Sequence, residues 1–222
     1  YFNLSKRNQL VVKNDDRITN IANELNQVCT KEFLDKSREE MQAKNINNLE
    51  LFERLDDHLK EKIINFASSD KLISTATRYM GIFPILTRVD VGHIIPRENS
   101  SERAAMLWHK DNFGFKSLDL FMIINNVDEG NGPLYVMEKK IHAGVLKSFI
   151  NQKNVRTGER GKVPISEFDK VFTNEKIIKL DGNSGNALLI DSFSAYHRGG
   201  YCKNRERIMM RFCYQSVDAL CD

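Results

Sequence analysis

The spacing of apolar residues changes once along this chain, and that change limits what it can fold into. Up to Gly81 they recur every three or four positions, and from Ile82 onward every second position. The first spacing makes a stripe on a helix and the second makes one face of a strand. In the first part, Asp15 and Asp16 offer an N-cap ahead of Ile18, Ile21, Ala22, Leu25 and Val28. The charged stretch from Lys31 to Lys44 continues as helix with a solvated face. Asn47 with Glu50 reads as a capping box for the clearest helix, whose stripe is Phe52, Leu55, Leu59, Ile63 and Phe66. Ser68, Ser69 and Asp70 then cap a shorter helix that Gly81 ends.

The second part reads as strands. Gln9–Val12 already suggests a short strand or arm near the start. Beyond Gly81, Ile85, Thr87, Val89 and Val91 alternate with Leu86, Arg88 and Asp90. Pro96 to Ser101 is a polar loop, and a strand is predicted through Met106 and Trp108. Residues 117–125 place Leu118, Leu120, Met122 and Ile124 on one face, and residues 128–133 form a turn. Strands follow at 134–137, 177–180 and 187–190. In the last, 207–217, Ile208, Met210, Phe212 and Tyr214 alternate with Arg207, Met209, Arg211 and Cys213. Between them, residues 138–176 read as a long polar loop with one helical turn, a type of segment that commonly serves as a lid or binding element. Helices first and short strands afterwards predict an α+β fold with mostly antiparallel sheets. The economical division is one domain over residues 1–222, with a helical layer at 1–80 and a sheet core at 81–217.

Composition narrows the partners. A chain of 222 residues can bury a core without disulfide staples. A net charge of +3, without a clustered basic patch, argues against a nucleic-acid footprint. An anionic small molecule is compatible with it. No apolar run approaches the ~18 residues that would span a membrane, and no signal-peptide pattern is visible. Cys29, Cys202, Cys213 and Cys221 form no CxxC pair and read as reduced thiols, which points to the cytoplasm.

The chemistry centres on His109-Lys110-Asp111. In an extended segment, residues two apart point the same way, so the imidazole and the carboxylate share a side. One further histidine brought in by the fold would complete a 2-His-1-carboxylate face for mononuclear iron(II). A histidine-x-aspartate triplet is common by itself. His109 and His197 could be packing histidines, and Asp111 could cap a turn. His58 reads as a surface residue, His142 and Asp191 as structural ones, and His93 has no evident partner. Trp108 is expected to pack beside the site.

Order and spacing add more than the triplet does. Trp108-His109-Lys110-Asp111 is followed by Asn131-Gly132-Pro133-Leu134-Tyr135-Val136-Met137. Gly185-Asn186-Ala187-Leu188-Leu189-Ile190-Asp191 comes next, then Tyr196-His197-Arg198-Gly199-Gly200, with Arg207 ten residues beyond that histidine. From about Gly81 to Tyr214 this series resembles the phytanoyl-CoA dioxygenase family of iron(II)- and 2-oxoglutarate-dependent oxygenases. One departure is local: after Met137 the family has a Pro-Gly-Ser-His turn, where this chain has Glu138-Lys139-Lys140-Ile141-His142.

The resemblance implies a double-stranded β-helix, a jelly-roll or cupin-like barrel with the metal in its mouth and the N-terminal helices on one sheet. It implies His109, Asp111 and His197 as iron ligands, 2-oxoglutarate as co-substrate with O2, and hydroxylation of a small-molecule C–H bond with release of succinate and CO2. Halogenating relatives have a small residue where Asp111 stands, so the aspartate favours oxygen insertion. The distal carboxylate of 2-oxoglutarate needs a cation, for which the planar fork of arginine is suited. Arg207 is at the family spacing, Arg211 is its rival on the same strand face, and Arg205 lies ahead of the strand. Asn112, Phe113, Phe115 and Lys116 follow the ligands directly and are candidates for substrate contact. The family's substrates include acyl-, sugar- and carrier-linked molecules. The basic residues of the 138–176 loop (Lys139, Lys140, Lys147, Lys153, Arg156, Arg160 and Lys162) favour an anionic one, and a solvated basic loop is the plainer alternative. Desaturation, cyclisation or epimerisation at the same centre, or a metal-binding jelly roll without catalysis, are the competing functions.

Overall fold

The computed structural model describes residues 9–12, 15–96, 104–111, 116–138, 162–172 and 175–217. Four helices come first: α1 (Asp16–Val28), α2 (Lys31–Ala43), α3 (Asp57–Ala67) and α4 (Asp70–Met80). Asp15 caps α1 by accepting from the Arg17 amide at 3.1 Å. The charged stretch does not continue α1. Thr30 interrupts it and caps α2 by accepting from the Phe33 amide at 3.3 Å. Gly81 ends α4 at φ +76°, a left-handed conformation that glycine adopts without strain.

The expected capping box is overturned. Asn48–Glu50 forms a strand, β2, and Phe52–Arg54 a single 3-10 turn. Glu50 does not cap a helix, because its carboxylate accepts from the amides of Phe52 (2.8 Å) and Val91 (2.7 Å) and ties the turn to the sheet. The helix begins only at Asp57, where Asp56 accepts from the Leu59 amide at 2.9 Å.

The other strands are β1 (Gln9–Val12), β3 (Ile85–Ile94), β4 (Ser117–Ile123), β5 (Leu134–Met137), β6 (Ile177–Leu180), β7 (Ala187–Ile190), β8 (His197–Gly199) and β9 (Arg207–Gln215). They pair antiparallel in two sheets, ordered β1-β7-β4-β9-β3-β2 and β6-β5-β8. From β4 onward the chain passes repeatedly between the two sheets, which makes the jelly roll. Met106–Trp108 is not a strand as expected: Ala104–Met106 is a 3-10 turn, and only Trp108 and His109 pair, with Val163 and His197. The 138–176 segment holds more helix than the single turn expected. Its described part contains α5 (Ile165–Val171), and residues 139–161, with His142, lie outside the described residues.

The period of two sorts the large sheet. Leu118, Leu120, Met122, Ile208, Met210, Phe212 and Tyr214 pack with Leu25, Leu59, Ile63 and Phe66 of the helices. Phe121, Ile123, Leu188 and Ile190 face Leu134, Val136 and Leu180 of the small sheet. A register shift between Leu86 and Arg88 puts one extra residue in β3. Such a bulge re-aims side chains. Here it lets both Leu86 and Val89 join the helical core, and leaves Arg88 and Asp90 opposite Cys213 and Arg211 on the other face.

His93 does have partners. Buried on β3, it donates from Nε2 to Glu206 at 3.1 Å and shares a hydrogen bond through Nδ1 with Ser37 of α2 at 2.8 Å. Arg38 of α2 adds a two-armed contact to Glu206 at 2.9 and 2.7 Å. His93 and Arg38 together hold the Glu206 carboxyl down to about 2. A carboxyl depressed by folding stabilises fully above its unfolded value and loses that contribution as pH falls through the folded one. Glu206→Gln is therefore expected to unfold at lower urea concentration than the wild type near neutral pH, with the gap closing from about pH 5 downward. A gap of constant size over that range would show that the Glu206 charge does not fasten α2 to the sheet.

Candidate metal centre

Backbone pairing places the two histidines. The His109 amide donates to the His197 carbonyl at 3.0 Å, and the His197 amide returns the bond to His109 at 2.9 Å. Residues exchanging both bonds in an antiparallel pair lie directly opposite, with side chains on one face. The imidazoles accordingly lie beside each other, with ring centroids 4.4 Å apart. Asp111 is brought to the same side by the bond from its amide to the Ser192 carbonyl, 2.9 Å. One ligand atom from each of His109, Asp111 and His197 lies within 4.8 Å of the others. Asp111 Oδ1 is 3.6 Å from His109 Nε2 and 3.8 Å from His197 Nε2.

Hydrogen bonding fixes the tautomers. His109 Nδ1 lies 2.7 Å from the Leu107 carbonyl, and His197 Nδ1 lies 3.1 Å from that of Ala195. A carbonyl can only accept, so both Nδ1 atoms carry the proton and both Nε2 lone pairs face Asp111. Histidines that ligate metals are held in this way. Burial pushes both imidazoles below their ordinary pKa, and for His197 the neighbouring His109 adds to the effect. Burial works to raise the Asp111 carboxyl, but His197 and Arg211 facing it bring it below the usual value. Two neutral imidazoles and an ionised carboxylate are the donor set a divalent cation requires.

The two arginines on β9 have different surroundings. Arg211 donates to Asp111 Oδ2 at 2.5 Å and to Asp119 at 2.9 Å. Burial alone would lower its pKa, but Asp119 and then Asp111 more than reverse that. Arg207 is 3% exposed, and its Nε and Nη1 have no hydrogen-bond partner among the described residues. Burial lowers its pKa. On β8, Gly199 lies against this guanidinium: a Cβ there would be 3.5 Å from Arg207 Nη2 and 3.6 Å from the Ala105 carbonyl. A buried cation whose Nε and Nη1 lack partners among the described residues fits a carboxylate-bearing co-substrate. Arg205, by contrast, pairs with Asp128.

Other expected positions fall out as follows. Trp108 is buried and stacks on Phe168 of α5 with centroids 4.3 Å apart, so it packs beside the site as expected. Lys116 directs Nζ to the Met80 carbonyl at 2.6 Å, at the C-terminal end of α4, where a cation is favoured. Asn112, Phe113 and Phe115 lie outside the described residues. Asp191 accepts from the Tyr79 hydroxyl and, at 3.0 Å, from the Ser194 amide, which holds the turn after β7. Sequence reasoning missed Asp119, which is fully buried and accepts from the Cys213 thiol at 2.5 Å. The signal was available: a carboxylate among the inward residues of an otherwise apolar strand needs a partner. Cys29, Cys202 and Cys213 are free and buried. No helix among the described residues is long and apolar enough to cross a membrane.

No family model and no curated protein matches this chain. Solved structures do. The chain is similar to EctD from S. alaskensis with 2-oxoglutarate and 5-hydroxyectoine, at TM-score 0.60 and 14% identity, covering 97% of this chain and 74% of that one. It is similar to the epimerase SnoN in complex with Fe3+, alpha ketoglutarate and nogalamycin RO, at TM-score 0.55 and 12% identity, covering 96% and 81%. It is also similar to HygX from Streptomyces hygroscopicus with nickel and 2-oxoglutarate bound, at TM-score 0.56 and 7% identity, covering 96% and 85%. Its fold is thus the jelly roll found in iron- and 2-oxoglutarate-dependent enzymes.

Because burial keeps both imidazoles unprotonated, zinc affinity of the ligand-free protein is expected to stay level as pH falls through about 6.5, where a free imidazole takes up its proton. It should weaken only at lower pH. Competition with a colorimetric chelator measures this, and a decline that begins at the free-imidazole value would show that the site does not hold its histidines neutral.

Proposed function

We propose that this chain is a dioxygenase that uses iron(II), 2-oxoglutarate and O2 to hydroxylate a C–H bond of a small molecule, of the phytanoyl-CoA dioxygenase type. His109, Asp111 and His197 hold the iron, and residues 1–222 act as one catalytic domain. The iron, when bound, supplies the oxidising chemistry that couples decarboxylation of 2-oxoglutarate to oxygen insertion. The chain's own part is positioning. The two Nδ1 contacts aim the imidazoles. Arg207 receives the distal carboxylate of 2-oxoglutarate through paired, charge-assisted hydrogen bonds. Arg211, engaged by Asp111 and Asp119, is left to a different role.

The observation that carries this reading is the guanidinium of Arg207. A buried arginine whose Nε and Nη1 lack partners among the described residues is costly to a fold. A metal-binding jelly roll without a co-substrate gains nothing from it. Asp111, in turn, fills the position a halide would need, which favours hydroxylation over halogenation.

Adding iron(II) and 2-oxoglutarate without oxygen is expected to give the weak visible charge-transfer band of a ternary complex. His109→Ala or Asp111→Ala removes it. Absence of the band in folded, metal-loaded wild type would falsify the proposal. Arg207→Met separates function from stability: it is expected to weaken 2-oxoglutarate binding roughly 10- to 100-fold while iron still binds, because a charge-assisted pair is lost. The ligand-free variant should melt at the same temperature as wild type or above it, since an apolar side chain replaces a buried cation. A clear drop in melting temperature with unchanged 2-oxoglutarate affinity would make Arg207 a structural residue instead.

A further inference from the structure

Both oxygens of Asp111 are accounted for, and they face different groups. Oδ1 is the oxygen that looks onto the two Nε2 atoms, and Oδ2 receives Arg211 Nη2 at 2.5 Å. Arg211 is itself held from behind. Asp119, fully buried, accepts from it at 2.9 Å, and the Cys213 thiol donates to the other oxygen of Asp119 at 2.5 Å. The face of Phe121 lies 5.0 Å from the guanidinium carbon. Register explains why these groups meet. On β9, Arg211 and Cys213 share a face, and they stand opposite Phe121 and Asp119 of β4.

From this geometry we infer that Arg211, fixed by Asp119, is a positioning residue that locks Asp111 as a one-oxygen ligand and leaves the adjoining metal position open. The inference rests on the proposed metal centre. A carboxylate beside a divalent cation can turn both oxygens to it. Arg211 prevents that by occupying Oδ2 with a directed bond that a rotated carboxylate would break. Asp119 offsets the charge of Arg211, so the carboxylate is held in one orientation without its own charge being cancelled. A plain structural ion pair would stabilise the fold and have no effect on the metal.

The test uses cobalt(II), whose visible bands report both affinity and coordination number, on the full-length protein. Arg211→Met combined with Asp119→Asn removes both charges together, so that the fully buried Asp119 is not left as an unpaired carboxylate. It is expected to bind cobalt about 10- to 100-fold more weakly than wild type, the range for loss of a group that orients a metal ligand. Its bands should also lose intensity as the freed carboxylate adds a second oxygen. Arg211→Lys keeps the charge against Asp119, so it folds even where the paired variant does not. Both bonds come from the one Nη2 at the far end of the guanidinium; lysine is shorter and its ammonium is a point charge rather than a directed planar group, so an intermediate loss of affinity is expected with little change in melting temperature. Wild type that binds cobalt, with Arg211→Lys unchanged in affinity and bands, overturns the inference and leaves the metal centre standing. Wild type that binds no cobalt overturns both.

Discussion

Two backbone hydrogen bonds between His109 and His197 are what the rest of the site depends on. They join segments far apart in sequence and set both imidazoles on one face of the smaller sheet. Alternation then does the remaining sorting. Asp111, two residues on, falls to the same side as the histidines, and Trp108, one residue back, falls to the other. There Trp108 packs with Phe168, Tyr196 and Met137 under α5. One pairing therefore supplies the donor set inside the barrel and the cover outside it. The arrangement of the three candidate ligands follows from the ladder, with the Nδ1 contacts to backbone carbonyls setting only the ring rotation.

The barrel interior carries a charged row that a purely structural core would avoid. Arg207, Arg211, Asp119 and Asp111 are all largely buried, and removing such groups from water is unfavourable unless each is matched. Asp111, Arg211 and Asp119 match one another in a chain. Arg207 has no such counterpart for its Nε and Nη1 among the described residues. The opposite face of the same strand supplies the compensation: Ile208, Met210, Phe212 and Tyr214 are buried against α1, α3 and α4. The helical layer is thus a condition of the site. It stabilises a sheet whose other face is given over to charge.

Much of this was legible in the sequence. The change of period at Gly81 separated the four-helix layer from most of the strands, with β1 and β2 ahead of it and α5 beyond it as exceptions, and the inward and outward sets of β4 and β9 followed from alternation alone. The errors have physical causes. Asn47 and Glu50 have the spacing of a capping box, but Glu50 meets the amides of Phe52 and Val91, and tertiary contact overrode local pattern. Near Met106, a 3-10 turn replaced the expected strand because only Trp108 and His109 find backbone partners. His93 had no partner in the sequence because Ser37 and Glu206 are distant along the chain and only the β3–β9 pairing, with α2 laid across it, assembles the three.

The arginines show where sequence reading stops. Arg207 and Arg211 are four residues apart on one strand, so alternation gives them the same face and cannot rank them. What separates them is the neighbouring strand. β4 runs alongside β9 so that Asp119 and Phe121 flank Arg211, whereas at the level of Arg207 it has already ended. On the other side β3 offers Asp90 opposite Arg211 but Ile94 opposite Arg207. The same side chain is neutralised at one height of the barrel and left with an open valence four residues away. Its surroundings are a property of register, which is why the spacing from His197 could point to Arg207, but only the pairing of β3, β4 and β9 gives a physical difference between the two arginines.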